Sequence, residues 1–218
     1  PAAAIFDLGL GSATQRPDAL AGYRACEQAT QAATPQGNVG AGTGATVGKM
    51  TGPAYMMKGG LGSASAQLSG GIIVGAIVVV NAAGDVVDPW TQQTVAGARN
   101  PQGGYTFDLP AGSNTTIAVI ATNAAMRKEE INKVAQMAHN GLAQALRPAH
   151  TMFDGDTVFA LALGPRSERQ ADINSAAVQT SSIGATAATV LARAIVKAAQ
   201  QANELHGIPG AGTANSRL

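Results

Sequence analysis

A polar loop runs without interruption into an apolar, β-branched strand at Asn114-Thr115-Thr116-Ile117-Ala118-Val119-Ile120-Ala121-Thr122. Such a run belongs in a sheet, because Ile, Val and Thr pack well on a pleated surface and crowd a helix. The preceding loop, Asp108-Leu109-Pro110-Ala111-Gly112-Ser113-Asn114, carries the Pro and Gly that stop the strand from extending backward. Thr115 therefore stands at a sharp boundary between loop and sheet. Residues 72–80 are a second, continuous apolar run, which reads as a strand buried on both faces. Residues 157–163 are a third, introduced by Phe153-Asp154-Gly155-Asp156.

Helical patterns separate these strands. Residues 127–146 are amphipathic, with Ile131, Val134, Ala135, Ala138, Leu142, Ala145 and Leu146 on one stripe. Residues 181–205 form a long Ala-rich helix with Ile183, Ala187, Val190, Leu191, Ala194 and Ile195 facing inward. Residues 2–8 read as a short buried strand ending at Gly9, and Pro17-Asp18 opens a helix to about residue 33. Residues 40–48 and 59–62 read as glycine-dense turns, residues 88–113 as a long loop, and residues 207–218 as a frayed tail. Paired strands and helices rich in small residues predict a layered α/β domain spanning 1–218.

Only 12% of the 218 residues are charged and 45% are hydrophobic, so most surfaces are expected to pack against something. Net charge is +1 with no dense Lys/Arg cluster, which argues against nucleic acid or an anionic membrane as partner. No uninterrupted apolar run reaches the ~18 residues of a membrane span. Cys26 is alone and reads as a buried small hydrophobe.

Several familiar signatures fail. Gly40-Ala41-Gly42-Thr43-Gly44-Ala45 resembles a dinucleotide fingerprint, but no acid follows it before Asp85. Gly48-Lys49 lacks the first Gly of a phosphate loop, and Met50 stands where Ser or Thr would bind magnesium. Asp154-Gly155-Asp156 starts like a calcium loop, but Val158 breaks it. His139, His150 and His206 lack metal spacing. Gly62-Ser63-Ala64-Ser65 only approaches a nucleophile elbow.

One constellation survives. If the Asn114–Thr115 bond is cut, Thr115 gains a free α-amine beside its hydroxyl, the minimal equipment of an N-terminal nucleophile. Asp154 and Asp156, two apart in extended chain, would project to one side and could orient that residue. Asn81 at a strand end could donate to an oxyanion. Lys49 lies in a segment, residues 28–84, with no Asp or Glu, so its counter-ion must come from elsewhere. Plainer readings stand beside these: a turn at Asp154-Gly155-Asp156, a turn residue at Asn81, a solvated Lys49.

The segments Gly37-Asn38-Val39-Gly40-Ala41-Gly42-Thr43-Gly44-Ala45 to Lys49, Lys58 to Ser65, Val80-Asn81-Ala82-Ala83-Gly84-Asp85, Asn114 to Ala124, and His150-Thr151-Met152-Phe153-Asp154-Gly155-Asp156-Thr157 together resemble the L-aminopeptidase/D-esterase family. This is the DmpA/BapA-type β-aminopeptidase group, which includes the nylon-oligomer (6-aminohexanoate oligomer) hydrolase. The resemblance implies an αββα N-terminal-nucleophile fold and self-cleavage into fragments 1–114 and 115–218. It implies Thr115 as nucleophile, Asn114 as the residue before the cut, Asp154 and Asp156 as its supports, Asn81 as oxyanion donor and Lys49 in the pocket. Thr115 with an Asp-x-Asp pair is closer to the nylon-oligomer hydrolase than to the Ser-dependent members. A pocket Tyr of some members falls at Phe6, which has no hydroxyl.

The resemblance further implies hydrolysis of small peptides or amino-acid amides through an acyl-Thr115 intermediate. No metal or organic cofactor is expected, nor is a nucleic-acid or membrane partner. A homo-oligomer of tetramer size or larger is expected, in the cytoplasm or alternatively the periplasm. A family segment is expected to precede Pro1. Two alternatives remain: an acyltransferase resembling ornithine acetyltransferase, and an uncleaved, non-catalytic homologue.

Overall fold

The computed structural model describes residues 2–100, 102, 114–169 and 172–212. In chain order these form α1 (Ala19–Glu27), β1 (Thr46–Val47), β2 (Met57–Lys58), β3 (Gly60–Gln67), β4 (Ile73–Asn81), β5 (Asp85–Val87), β6 (Thr94–Ala96), β7 (Thr115–Thr122), α2 (Lys128–Ala145), β8 (Leu146–Arg147), β9 (Thr157–Ala162) and α3 (Ile173–Gln200).

The β-branched runs pair as their composition requires. The main sheet has the order β3-β4-β7-β9. β4 is antiparallel to both β3 and β7, whereas β9 joins β7 in parallel. A parallel neighbour needs a crossover, and α2 lies within it. Val74, Ala76, Val78 and Val80 of β4 share one buried core with Ala118 and Ile120 of β7 and with the inward stripes of α2 and α3. Ile183, Ala187, Val190, Leu191, Ala194 and Ile195 are all buried there, as their spacing predicts. β5 sits between β6 and β8 in a smaller sheet, and β1 pairs with β2.

The small residues are explained by close approach. A Cβ at Gly62 would meet the Ala194 carbonyl, and one at Gly141 would meet the Ala188 carbonyl. The α3 backbone therefore lies directly against both β3 and α2. This also explains why β3 escapes a reading by propensity: its Gly-Leu-Gly-Ser-Ala-Ser-Ala-Gln sequence looks like a turn. By length and composition α3 could cross a membrane, but 67% of its apolar window is buried inside the protein, as in a core helix.

Several expectations are corrected. Residues 72–80 are not buried on both faces: helices cover one side, and Ile73 and Ile77 stand exposed on the other. They share that open face with Val119, Phe159 and Leu161 by register. In a layered sandwich an open sheet face of this kind packs against a second sheet. Residues 2–8 form no strand, and no β-ladder neighbour pairs with them among the described residues. α1, capped by Asp18 accepting from the Ala21 N–H, stops at Glu27 instead of reaching residue 33 and buries no residue. Cys26 is accordingly exposed.

α3 starts at Ile173, well before residue 181, because Asp172 caps it by accepting from the Ser175 N–H at 2.8 Å. Within the expected 88–113 loop, β6 forms and pairs with β5. Residues 103–113, which include the loop before Asn114, lie outside the described residues, as do 213–218 of the tail.

Candidate active site

The register of two apolar strands builds the site. β4 and β7 pair so that Asn81 lies opposite Thr115 at the end of the ladder. Directly opposed residues of an antiparallel pair share one face of the sheet. Asn81 and Thr115, far apart in sequence, are thereby brought side by side, and both are buried.

The Asn114–Thr115 junction is tightly held. Thr115 Oγ1 donates to the Asn114 carbonyl oxygen at 2.5 Å. That same oxygen accepts the Gly155 N–H at 2.9 Å. Asn114 is fully buried and forms a parallel bridge with Asp154. A Cβ at Gly155 would stand 3.1 Å from Thr115 Oγ1, so this glycine leaves the hydroxyl its room.

Both aspartates accept backbone N–H groups around the junction. Asp154 accepts the Ala83 N–H at 3.1 Å on one oxygen. Its other oxygen accepts the Thr151 N–H at 3.2 Å and hydroxyl at 2.6 Å. Asp156 accepts the Thr116 N–H at 2.9 Å on one oxygen and contacts His150 with the other. Asp154 thus ties the turn after β4 to the loop before β9, while Asp156 holds the residue that follows Thr115.

Lys49 joins from the β1 side. Its Nζ donates to Asn81 Oδ1 at 3.0 Å and to the Asn81 carbonyl at 3.2 Å. Thr46 N–H donates to the same Oδ1 at 3.0 Å. Two donors on Oδ1 fix the amide so that Nδ2 faces the other way, toward the Phe6 carbonyl at 3.3 Å. Burial lowers Lys49 from the usual lysine value to about 7; Asp154 opposes the shift and Lys58 adds to it. Asp154 is thus the acid from outside the acid-free segment that faces Lys49. Burial also lowers Lys58, whose Nζ donates to the Thr43 carbonyl at 2.8 Å while Asp7 opposes the shift. A cavity of about 660 Å³ borders Lys58 and is lined by Asp7, Thr43, Gly44 and His206.

All five side chains singled out in the sequence enter this cluster. Sequence reasoning missed Thr46, Thr151, the Gly155 N–H and His150. Thr151, three residues before Asp154, carries a recognisable turn-type signal. His150 lacks metal-ligand spacing and so stands out by no motif of its own. Among the described residues no group of three or more His, Cys, Asp or Glu could hold a metal ion.

The description of peptidase family S58 matches residues 3–212. The chain belongs to that family. It is 41% identical to an uncharacterized aminopeptidase of Mycobacterium leprae, over 96% of this chain and 63% of the relative. It is 32% identical to a 6-aminohexanoate-oligomer endohydrolase of Kocuria sp., over 91% of this chain and 60% of the relative. A β-aminopeptidase of Burkholderia sp. superposes with a TM-score of 0.58 at 25% identity, covering 88% of this chain and 55% of that one. The L-aminopeptidase D-Ala-esterase/amidase of Ochrobactrum anthropi, described as a variant of the Ntn hydrolase fold, gives 0.59 at 20% identity. It covers 86% of this chain and 50% of that one. This family S58 chain therefore has the N-terminal-nucleophile hydrolase fold. It spans about 60–65% of the length of the curated relatives it matches.

Proposed function

We propose that this S58 chain carries the catalytic core of a self-cleaving amidohydrolase whose nucleophile is Thr115. The observation that carries this reading is the Asn114–Thr115 junction. A hydroxyl rests against the carbonyl of the preceding residue, a backbone N–H already donates to that carbonyl, and Asn81 and Lys49 stand across the strand pair.

In the first stage the Thr115 oxygen attacks the Asn114 carbonyl carbon. The Oγ–C bond forms, the C–N bond breaks, and the hydroxyl proton ends on the released α-amine. The Gly155 N–H stabilises the oxyanion of this step. Water then hydrolyses the ester, leaving a carboxylate on Asn114 and a free hydroxyl and amine on Thr115. In this stage the Thr115 nitrogen is still an amide, so another group must take the proton first. Lys49, lowered to about 7, is partly neutral at neutral pH and suited to that task.

In the second stage Thr115 attacks a substrate amide. Its own α-amine, with an ordinary value of about 7.7–8.0, serves as base. Asn81 Nδ2 exchanges the Phe6 carbonyl for the tetrahedral oxyanion and stabilises it, an effect worth about 2.7–4 kcal/mol per donor in comparable sites. The amine product leaves, and water hydrolyses the acyl-Thr115 ester. The substrates are small peptides or amide-linked oligomers, in keeping with the aminopeptidase and oligomer-hydrolase names of the relatives. A homo-oligomer is part of this proposal. The low charge of the chain and the exposed Ile173 and Val178 of α3 support it.

The test is a pair of variants of the full-length protein. Thr115→Ala abolishes both self-cleavage and hydrolysis, whereas Thr115→Ser keeps part of each. Appreciable amide hydrolysis by purified Thr115→Ala would place the nucleophile elsewhere.

A further inference from the structure

His150 has no part in the two stages above, yet it is bonded to the machinery that performs them. Its ring Nδ1 lies 2.9 Å from Asp156 Oδ2. Its backbone N–H reaches the same oxygen at 3.3 Å. Asp156 Oδ1 accepts the Thr116 N–H at 2.9 Å. A continuous chain of polar contacts therefore runs from His150, through the carboxylate, to the residue bonded to Thr115.

The local backbone is shaped for this contact. His150 adopts φ +56°, a left-handed conformation that His and Asn enter more readily than most residues. Behind the ring, His139 of α2 packs with centroids 5.3 Å apart and planes tilted by 51°. Burial and the neighbouring His150 hold His139 below the ordinary imidazole value, against the pull of Asp156.

On the reading that Thr115 is the nucleophile, we infer that His150 is a positioning residue. It fixes Asp156, and through it the Thr116 amide, in the geometry that self-cleavage and turnover use. The Asp156 side chain is only 4% exposed, so water does not readily replace a lost donor.

The experiment compares His150→Gly and His150→Asn in the full-length protein, with Thr115→Ala as control. Gly and Asn both accept the left-handed backbone. Asn also places an amide N–H near the position of the imidazole Nδ1–H. His150→Gly slows self-cleavage and kcat about tenfold with little change in KM. His150→Asn restores most of the rate. If His150→Gly does not fold, His150→Gln takes its place, since its amide stands at the Nε2 position and leaves Asp156 without the donor.

Parental rates of self-cleavage and turnover in the donor-free variant would overturn the inference. So would equal loss in the donor-free and Asn variants, which would mark a merely structural residue. If Thr115→Ala hydrolyses substrate, the nucleophile reading itself falls. If Thr115→Ala is inert while the His150 variants behave as the parent, only the role of His150 falls.

Discussion

Gly155→Ala puts the smallest possible obstacle beside the reacting atoms. Gly155 does not occupy the positive-φ region, so the backbone accepts alanine. The new methyl would stand 3.1 Å from Thr115 Oγ1, and 3.7 Å from both the Asn114 carbonyl oxygen and Thr115 Cγ2. Relaxing the short contact toward an ordinary ~3.5 Å separation moves the hydroxyl by about 0.4 Å. A misplacement of 1 Å in a near-attack geometry costs about 100-fold, so a shift of this size costs roughly fivefold to tenfold. Overpacking is offset in part by the smaller entropy of the unfolded chain, which keeps the stability change near about 1 kcal/mol. The expected outcome is slower self-cleavage, followed as a time course on denaturing gels, with thermal unfolding close to the parent. Cleavage at the parental rate in a folded Gly155→Ala protein would refute the claim that this glycine keeps the Thr115 hydroxyl in attacking position.

Three further expectations follow from the same geometry. Asp154→Asn and Asp156→Asn each turn an acceptor into a donor that faces backbone N–H groups; self-cleavage and turnover slow about tenfold to 100-fold, well beyond the change in stability. Normal processing in both variants would reduce the pair to a turn. Lys49, lowered to about 7, is protonated below that pH and neutral above it, so self-cleavage rises as pH passes through about 7. Lys49→Met removes this limb, and a pH–rate profile that keeps it would assign it to another group. Folding shows the same residue with a defined sign. The unfolded chain holds the Lys49 proton up to about 10.5, so its cost to stability is full below about 7 and fades as pH rises toward 10.5. Denaturant titrations of parent and Lys49→Met across that range read it directly.

Much of this site was legible because it hangs on two strands with strong propensity. The β-branched runs containing Val78–Val80 and Ile117–Ile120 could only be sheet, and the residues at their ends were the natural suspects. Their meeting was not legible: it depends on the antiparallel register that sets Asn81 opposite Thr115. β3 was hidden because its small residues serve the approach of α3 and not strand propensity. Residues 2–8 look strand-like in composition, but propensity has no force without a neighbouring strand to pair with. Cys26 was misjudged for a related reason, since an Ala-rich helix need not bury any face. His150 gave no signal because its contact with Asp156 arises from a left-handed backbone position in a loop, which residue type alone does not announce.

The central claim is that Thr115 becomes an N-terminus by attacking the Asn114 carbonyl. Intact mass measurement with N-terminal sequencing of the purified full-length protein tests it most directly. The account predicts two fragments that separate only under denaturing conditions, one of them beginning at Thr115 with its α-amine free. A single uncut mass from protein that actively hydrolyses amides would contradict it.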